Sequence, residues 1–208
     1  MITVIDYGMG NLRSVQKALE RAGAKAKVTS DPGDIEKADK IVFPGVGSFG
    51  DAMKELKLRK LERPLKDAIS SGKCFLGLCL GLQLLFEKSE EAPGVKGLGI
   101  LKGEVKRFKF SGRALKVPHM GWNTITKNEK RKTKSYNILK NVPNGSYMYF
   151  VHSYYVKPKD GSAVLTTTDY GMKFVSGICK NNICGFQFHP EKSQDNGIRI
   201  LENFVRLK

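Results

Sequence analysis

Acidic side chains are scarce in this chain: 20 Asp and Glu stand against 36 Lys and Arg, for a formal net charge of +16. Long apolar runs are missing. None approaches the ~20 residues that span a bilayer, so no transmembrane helix is expected. The N-terminus, Met1-Ile2-Thr3-Val4-Ile5-Asp6, lacks a basic region followed by an extended apolar stretch. A secretory signal is therefore not expected, and the expected location is cytoplasmic. Cysteine is sparse too. Cys74, Cys79, Cys179 and Cys184 form no C-x-x-C pair, and no histidines sit near the last two at ligand spacing. That pattern argues against zinc and against a disulfide scaffold. Cys74, Cys179 and Cys184 read as small core hydrophobes. Repeats, low-complexity tracts and clear linkers are also absent. The 208 residues suit a single domain over 1–208 with a sizeable core.

The positive excess is densest in Lys54–Lys66 and Lys127–Lys134, each net +4 when Lys and Arg are counted against Glu. Neither stretch has the interleaved aromatics of a single-strand binder or a finger-like ligand pattern. The charge reads as a lysine-rich solvated surface or as a face complementary to an acidic partner.

The hydrophobic pattern orders the first half. Ile2–Tyr7 reads as a buried strand, Gly8–Asn11 as a turn, and Leu12–Ala22 as a helix with Leu12, Val15 and Leu19 on one face. Lys25–Thr29, Lys40–Phe43 and Cys74–Leu78 read as further strands. Residues 51–70 read as helical with a break near Pro64, and Leu80–Glu87 as the helix after the fourth strand. This alternation predicts an α/β fold, a doubly wound and mostly parallel central sheet with flanking helices. In the second half, Gly103–Phe110, Tyr147–Val156, Ala163–Thr168 and Cys184–Phe188 read as strands, expected as antiparallel additions. A closing amphipathic helix is expected near Ile198–Leu207.

The chemistry concentrates in two motifs. In Gly77-Leu78-Cys79-Leu80-Gly81-Leu82-Gln83 a cysteine is bracketed by glycines between a strand and a helix. That is the pattern of a nucleophile elbow, with amides of the following helix aimed at the reacting centre. Gly185-Phe186-Gln187-Phe188-His189-Pro190-Glu191 offers an imidazole and a carboxylate two residues apart, which extended backbone projects to one side. Together they predict Cys79 as nucleophile, His189 as base and later acid, and Glu191 as the orienting carboxylate, for acyl transfer through a thioester. Either motif alone carries little weight in a chain with 22 glycines; both at the ends of apolar strands carry much more. His152 ranks second as base, and His119 is expected to be structural or at an interface. Pro44-Gly45-Val46-Gly47-Ser48 is a candidate oxyanion loop, since glycines let a peptide turn its N–H toward a ligand.

The elbow and the Phe188-His189-Pro190-Glu191 run resemble those of the class I, or triad, glutamine amidotransferases, and the resemblance covers essentially the whole chain. Asp6-Tyr7-Gly8-Met9-Gly10-Asn11, Phe43-Pro44-Gly45-Val46-Gly47, Pro118-His119-Met120-Gly121-Trp122-Asn123 and Phe150-Val151-His152-Ser153-Tyr154-Tyr155 narrow it. They are most similar to the glutaminases that supply ammonia to a separate (β/α)8-barrel cyclase in histidine biosynthesis.

The resemblance implies hydrolysis of glutamine to glutamate and ammonia, without a cofactor or a metal. It implies amides of Leu80 and of Val46–Gly47 as oxyanion donors, and Gly45, Gln83, Glu91, Ser153 and Tyr154 as substrate contacts. The partner it implies is the cyclase subunit, bound as a heterodimer through Asn11, Trp122, Tyr149 and Lys192. Ammonia would pass to that barrel, whose products are imidazole glycerol phosphate and an aminoimidazole carboxamide ribotide. Reorientation of Val46–Gly47 on partner binding is a further expectation. The alternatives are a sibling amidotransferase for anthranilate, pyridoxal phosphate or purines, a basic nucleic-acid-binding protein, and another cysteine hydrolase on a similar sheet.

Overall fold

Strand β1 (Ile2–Ile5) lies between β2 (Ala26–Thr29) and β3 (Lys40–Phe43), with β4 (Cys74–Leu78) beyond β3, all parallel. This is a computed structural model, and it describes residues 1–110, 115–129 and 134–207. The connections are α1 (Leu12–Arg21), α2 (Pro32–Lys37), and the pair α3 (Phe49–Leu58) and α4 (Glu62–Ser70). The chain ends in α6 (Gln194–Arg206), after a short α5 (Leu80–Gln83) that follows β4. Alternate strand residues feed two cores. Ile5, Ile41, Phe43 and Phe75 pack with Ile35, Leu56 and Leu65 of α2, α3 and α4. Val4, Val42 and Leu76 pack with Val15 and Leu19 of α1 and with Leu201 and Phe204 of α6. Apolar burial on both faces is why these strands read as unbroken hydrophobic runs.

Local signals explain the boundaries. The Asn11 side chain accepts from the Ser14 amide at 3.4 Å to cap α1, and the Ser48 hydroxyl accepts from the Asp51 amide at 3.2 Å to cap α3. The expected break near Pro64 falls earlier, between Leu58 and Glu62, where Lys60 adopts φ 57°. Pro64 sits in the first turn of α4, where its missing N–H breaks no helical bond. Helix α2 was not expected, although Asp31-Pro32 is a cap followed by a first-turn proline. The helix after β4 ends at Gln83 rather than Glu87, and α6 begins at Gln194, four residues before the expected start.

The second half contributes β5 (Lys88–Ser89), β6 (Gly103–Arg107), β7 (His119–Thr124), β8 (Thr126–Lys127), β9 (Tyr147–His152), β10 (Tyr154–Pro158), β11 (Val164–Asp169), β12 (Lys173–Lys180) and β13 (Ile183–Phe186). Among the described residues the main sheet runs β2-β1-β3-β4-β13-β12-β10-β6-β5, with β11 paired to β12 and to β8. From β12 to β6 the neighbours are antiparallel, as expected. β13 is mixed: antiparallel to β12 but parallel to β4, extending the parallel core by one strand. The expected strand Tyr147–Val156 divides at Ser153. β9 leaves to pair with β7 in a separate two-stranded sheet, while β10 joins the main one.

Cys179 and Cys184 face each other across the β12–β13 hairpin, Cα atoms 4.2 Å apart, and are joined as a disulfide. This corrects the reading of two unpaired core thiols. A two-residue turn at Asn181-Asn182, with Asn181 at φ 53°, puts them in register. Lys54–Lys66 forms the outer side of α3 and α4, where Arg59 pairs with Glu55 and Arg63 with Asp67. The second basic stretch falls partly outside the described residues, at 130–133. No described helix is long and apolar enough to cross a membrane.

Candidate active site

Parallel pairing of β4 with β13 is what assembles the site. Leu78 lies opposite Phe186, so the residues after each strand emerge side by side at the carboxyl edge of the sheet. Cys79 follows at φ 52° and ψ −110°, a conformation that costs a non-glycine residue about 1–3 kcal/mol and persists only where the surroundings impose it. Here the Cys79 amide donates to the Phe186 carbonyl at 2.8 Å. Two residues on, a Cβ on Gly81 would lie 1.9 Å from the Phe43 carbonyl oxygen, so only glycine lets α5 press down behind the elbow.

His189 comes three residues after β13, and its amide donates to the Tyr149 carbonyl at 2.9 Å. Nδ1 meets Glu191 Oε1 at 2.8 Å, with both side chains buried. Burial alone would lower the imidazole pKa, but the neighbouring Cys79 and Glu191 outweigh it and raise the value to about 10. The contact with sulfur is loose. Among the described residues Nε2 makes no hydrogen bond of ordinary length and angle, yet Cys79 is close enough to favour the protonated ring. Catalytic hydrogen bonds in unliganded enzymes often have this character.

Cys79 and His189 open into a cavity of about 320 Å³. Val46, Gly47, Leu80, Gln83, Glu91, Ser153 and Tyr154 line it with them, so these sequence-predicted residues come together. Gly45 does not line it. Its Cα lies beneath the loop, where an added Cβ would come within 2.4 Å of the Tyr7 hydroxyl. Glu191 stands behind His189. Glu91 Oε2 accepts the Phe49 amide at 2.8 Å at the start of α3. Burial and the nearby Asp51 push its carboxyl pKa up, against the pull of that amide. Gly47 holds φ 91°, which frees this loop to present a backbone that a side-chain-bearing residue rarely adopts.

His152 has no free ring nitrogen with which to act as a base. Its Nδ1 contacts the Tyr154 carbonyl at 2.7 Å and its Nε2 contacts His119 Nδ1 at 3.1 Å, so both ring nitrogens are engaged. His119 is buried, stacked on Tyr170 at 4.1 Å and Phe150 at 4.8 Å. Sequence reasoning assigned no role to Gln187. It is fully buried, accepts from Gln83 Nε2 at 3.1 Å, and points Nε2 at the Cys79 sulfur at 3.7 Å. Its place between Phe186 and Phe188 was the available signal, a polar residue inside an apolar strand end. Tyr7 was missed similarly: its hydroxyl is buried under Gly45 without a hydrogen-bond partner among the described residues, and burial together with Cys79 raises its pKa. Of the expected interface residues, Trp122 packs edge-on against Tyr149 at 5.9 Å, and Lys192 Nζ lies 5.6 Å from the centre of the Tyr149 ring. Asn11 is exposed at the start of α1, which packs beside the turn bearing Lys192.

A family model described as "Glutamine amidotransferase class-I" matches residues 3–207. Curated relatives named imidazole glycerol phosphate synthase subunit HisH are similar over almost all of their length. The one from Aquifex aeolicus is 53% identical, covering 98% of this chain and 95% of the relative. The one from Rhodopirellula baltica is 49% identical over 99% and 97%. Among solved structures, a glutamine amidotransferase superposes with a TM-score of 0.74 at 19% identity, covering 99% of this chain and 100% of that one. PurLQS from Thermotoga maritima gives 0.70 at 18% identity, covering 98% and 96%. These two establish likeness of fold. The chain belongs to the class I glutamine amidotransferases.

Proposed function

We propose that the chain is the glutaminase subunit of imidazole glycerol phosphate synthase in histidine biosynthesis, acting as a heterodimer with a barrel cyclase. Near-full-length similarity at about half identity to relatives bearing that name supports the pathway. The observation that carries the chemistry is the strained Cys79 elbow, sharing one cavity with an imidazole that Glu191 holds by Nδ1.

In this reading Cys79 Sγ attacks the side-chain amide carbon of glutamine. The carbon–nitrogen bond breaks as the tetrahedral intermediate collapses, and ammonia leaves with the proton carried by His189 Nε2. A water molecule then adds to the thioester, giving its proton back to His189, and glutamate departs with the sulfur restored. Glu191 fixes the ring so that Nε2 faces the sulfur and offsets the imidazolium charge. Amides of Leu80 and of Val46–Gly47 bind the oxyanion, and each such donor is worth about 10²–10³ in rate. Glu91 pairs with the α-ammonium of glutamine, the Gln83 oxygen, its amide hydrogens both engaged, accepts at the same amino-acid end, and the Ser153–Tyr154 backbone assists.

The test is glutamine turnover by the purified chain, alone and with the cyclase and its nucleotide ligand. Turnover that rises at least tenfold in the complex and vanishes in Cys79→Ala is expected if the loop becomes competent only on assembly. Cyclase that receives no ammonia from this chain would overturn the pathway assignment. Turnover surviving Cys79→Ala would overturn the mechanism.

A further inference from the structure

Beside the catalytic cavity, a row of polar side chains crosses from the small β7–β9 sheet into the pocket wall. Asn123 Nδ2 lies 3.2 Å from His119 Nε2, His119 Nδ1 lies 3.1 Å from His152 Nε2, and His152 Nδ1 lies 2.7 Å from the Tyr154 carbonyl oxygen. That same oxygen accepts from Gln83 Nε2 at 3.1 Å, and Gln83 Nε2 also donates to Gln187, whose own amide reaches Cys79.

The direction of every bond is determined. A carbonyl only accepts, so His152 Nδ1 must carry hydrogen. Burial holds both rings neutral at pH 7, with His119 lowered to about 4 and His152 to about 3. His152 Nε2 is then an acceptor, His119 Nδ1 a donor, and His119 Nε2 an acceptor facing the Asn123 amide. That amide cannot turn over. Its nitrogen also donates to the Asp169 carbonyl at 2.8 Å, and its oxygen accepts the Thr124 amide at 2.7 Å. Strand alternation places this row inward on β7 while Met120 and Trp122, 63% and 46% exposed, project from the other side.

We propose that Asn123, His119 and His152 form a one-way hydrogen-bond relay that positions the Tyr154 carbonyl and Gln83 in the glutamine pocket and ties that pocket wall to strand β7. The role of the pocket wall rests on the glutamine-binding reading above. His119 and His152 are positioning residues: neither takes part in bond making. At Ser153 β9 leaves one sheet and β10 enters another, and the Ser153 carbonyl accepts the Phe108 amide at 3.1 Å. The relay adds a side-chain restraint on the next carbonyl, that of Tyr154, and a shift of β7 moves that carbonyl with it.

Three measurements test this. In ¹⁵N-imidazole spectra at pH 7, His119 and His152 should both be Nδ1–H tautomers, and an Nε2–H tautomer at either would overturn the relay. In the complex with the cyclase, His119→Phe keeps the ring stacking and removes the donor. It should raise KM for glutamine about tenfold, the effect of losing one buried hydrogen bond, while kcat changes less than about twofold. His119→Asn, whose amide nitrogen replaces Nδ1, should restore KM to within about threefold of the parent. An unchanged KM in His119→Phe, or no rescue by His119→Asn, would overturn the proposal. Alkylation of Cys79 by iodoacetamide should keep its rate in His119→Phe; a parallel loss of alkylation would show general damage to the site and overturn it as well. A parent complex that uses no glutamine would instead sink the functional reading, and the tautomers would then decide the relay alone.

Discussion

At the scale of single residues, the two buried histidines make a prediction about acid. An unfolded chain takes a proton on each imidazole near pH 6.5. Burial depresses the folded values to about 4 for His119 and about 3 for His152, where the neighbouring imidazoles add to the effect and the Tyr154 carbonyl opposes it. Between these limits the unfolded state binds more protons, so stability present above pH 6.5 is lost as pH falls through the window. Urea unfolding at pH 7 and pH 5 checks it. In His119→Phe the loss of stability between the two pH values should be smaller than in the parent by about 2 kcal/mol. An equal loss in both proteins would contradict the burial argument. That Cys79, His189 and Glu191 would come together was legible in the sequence because they lie in short local motifs at strand ends. Gln187 and the His119–His152 contact were not, because their roles depend on strand register that neither neighbourhood encodes.

At the scale of elements, legibility follows burial. Strands β1, β3 and β4 are apolar on both faces and were read within one or two residues of their ends. β12 went unread, and β7 mixes glycine, asparagine and exposed Met120 and Trp122, so neither it nor its pairing with β9 could be read from a hydrophobic pattern. The terminal helix illustrates another dependence that sequence hides. Lys40, at the start of β3, donates from Nζ to the Phe204 carbonyl at 3.0 Å and also to those of Val205 and Leu207. The last carbonyls of α6 thus find their donor 164 residues away, and the ammonium complements the negative end of the helix. Replacing it by methionine, Lys40→Met, keeps the stem and removes the donor. The expected cost is about 2 kcal/mol, seen as a Tm lower by about 4–8 °C. A Tm within one degree of the parent's would show that water caps α6 equally well.

At the scale of the molecule, the net charge of +16 and the Trp122–Tyr149–Lys192 cluster bear on assembly. A basic surface attracts an acidic partner at long range, and an exposed tryptophan braced by a tyrosine is the kind of anchor that dominates an interface. If the proposed cyclase is the partner, Trp122→Ala should weaken binding to it by about 2 kcal/mol, roughly thirtyfold, while leaving the thermal stability of the isolated chain nearly unchanged. Titration calorimetry measures the first and a melting curve the second. Unaltered affinity would move the docking surface elsewhere.

The carboxylate of Glu91 has two employers. It already receives the amide of Phe49, two positions beyond Gly47, at 2.8 Å, and it borders the cavity in which an incoming amino acid would place its ammonium group. Under the proposed function, an ammonium bound at that end would share the carboxylate with the root of α3, two residues beyond the Val46–Gly47 peptide. In that reading, arrival of substrate and readiness of the anion-stabilising loop would be linked through a single side chain.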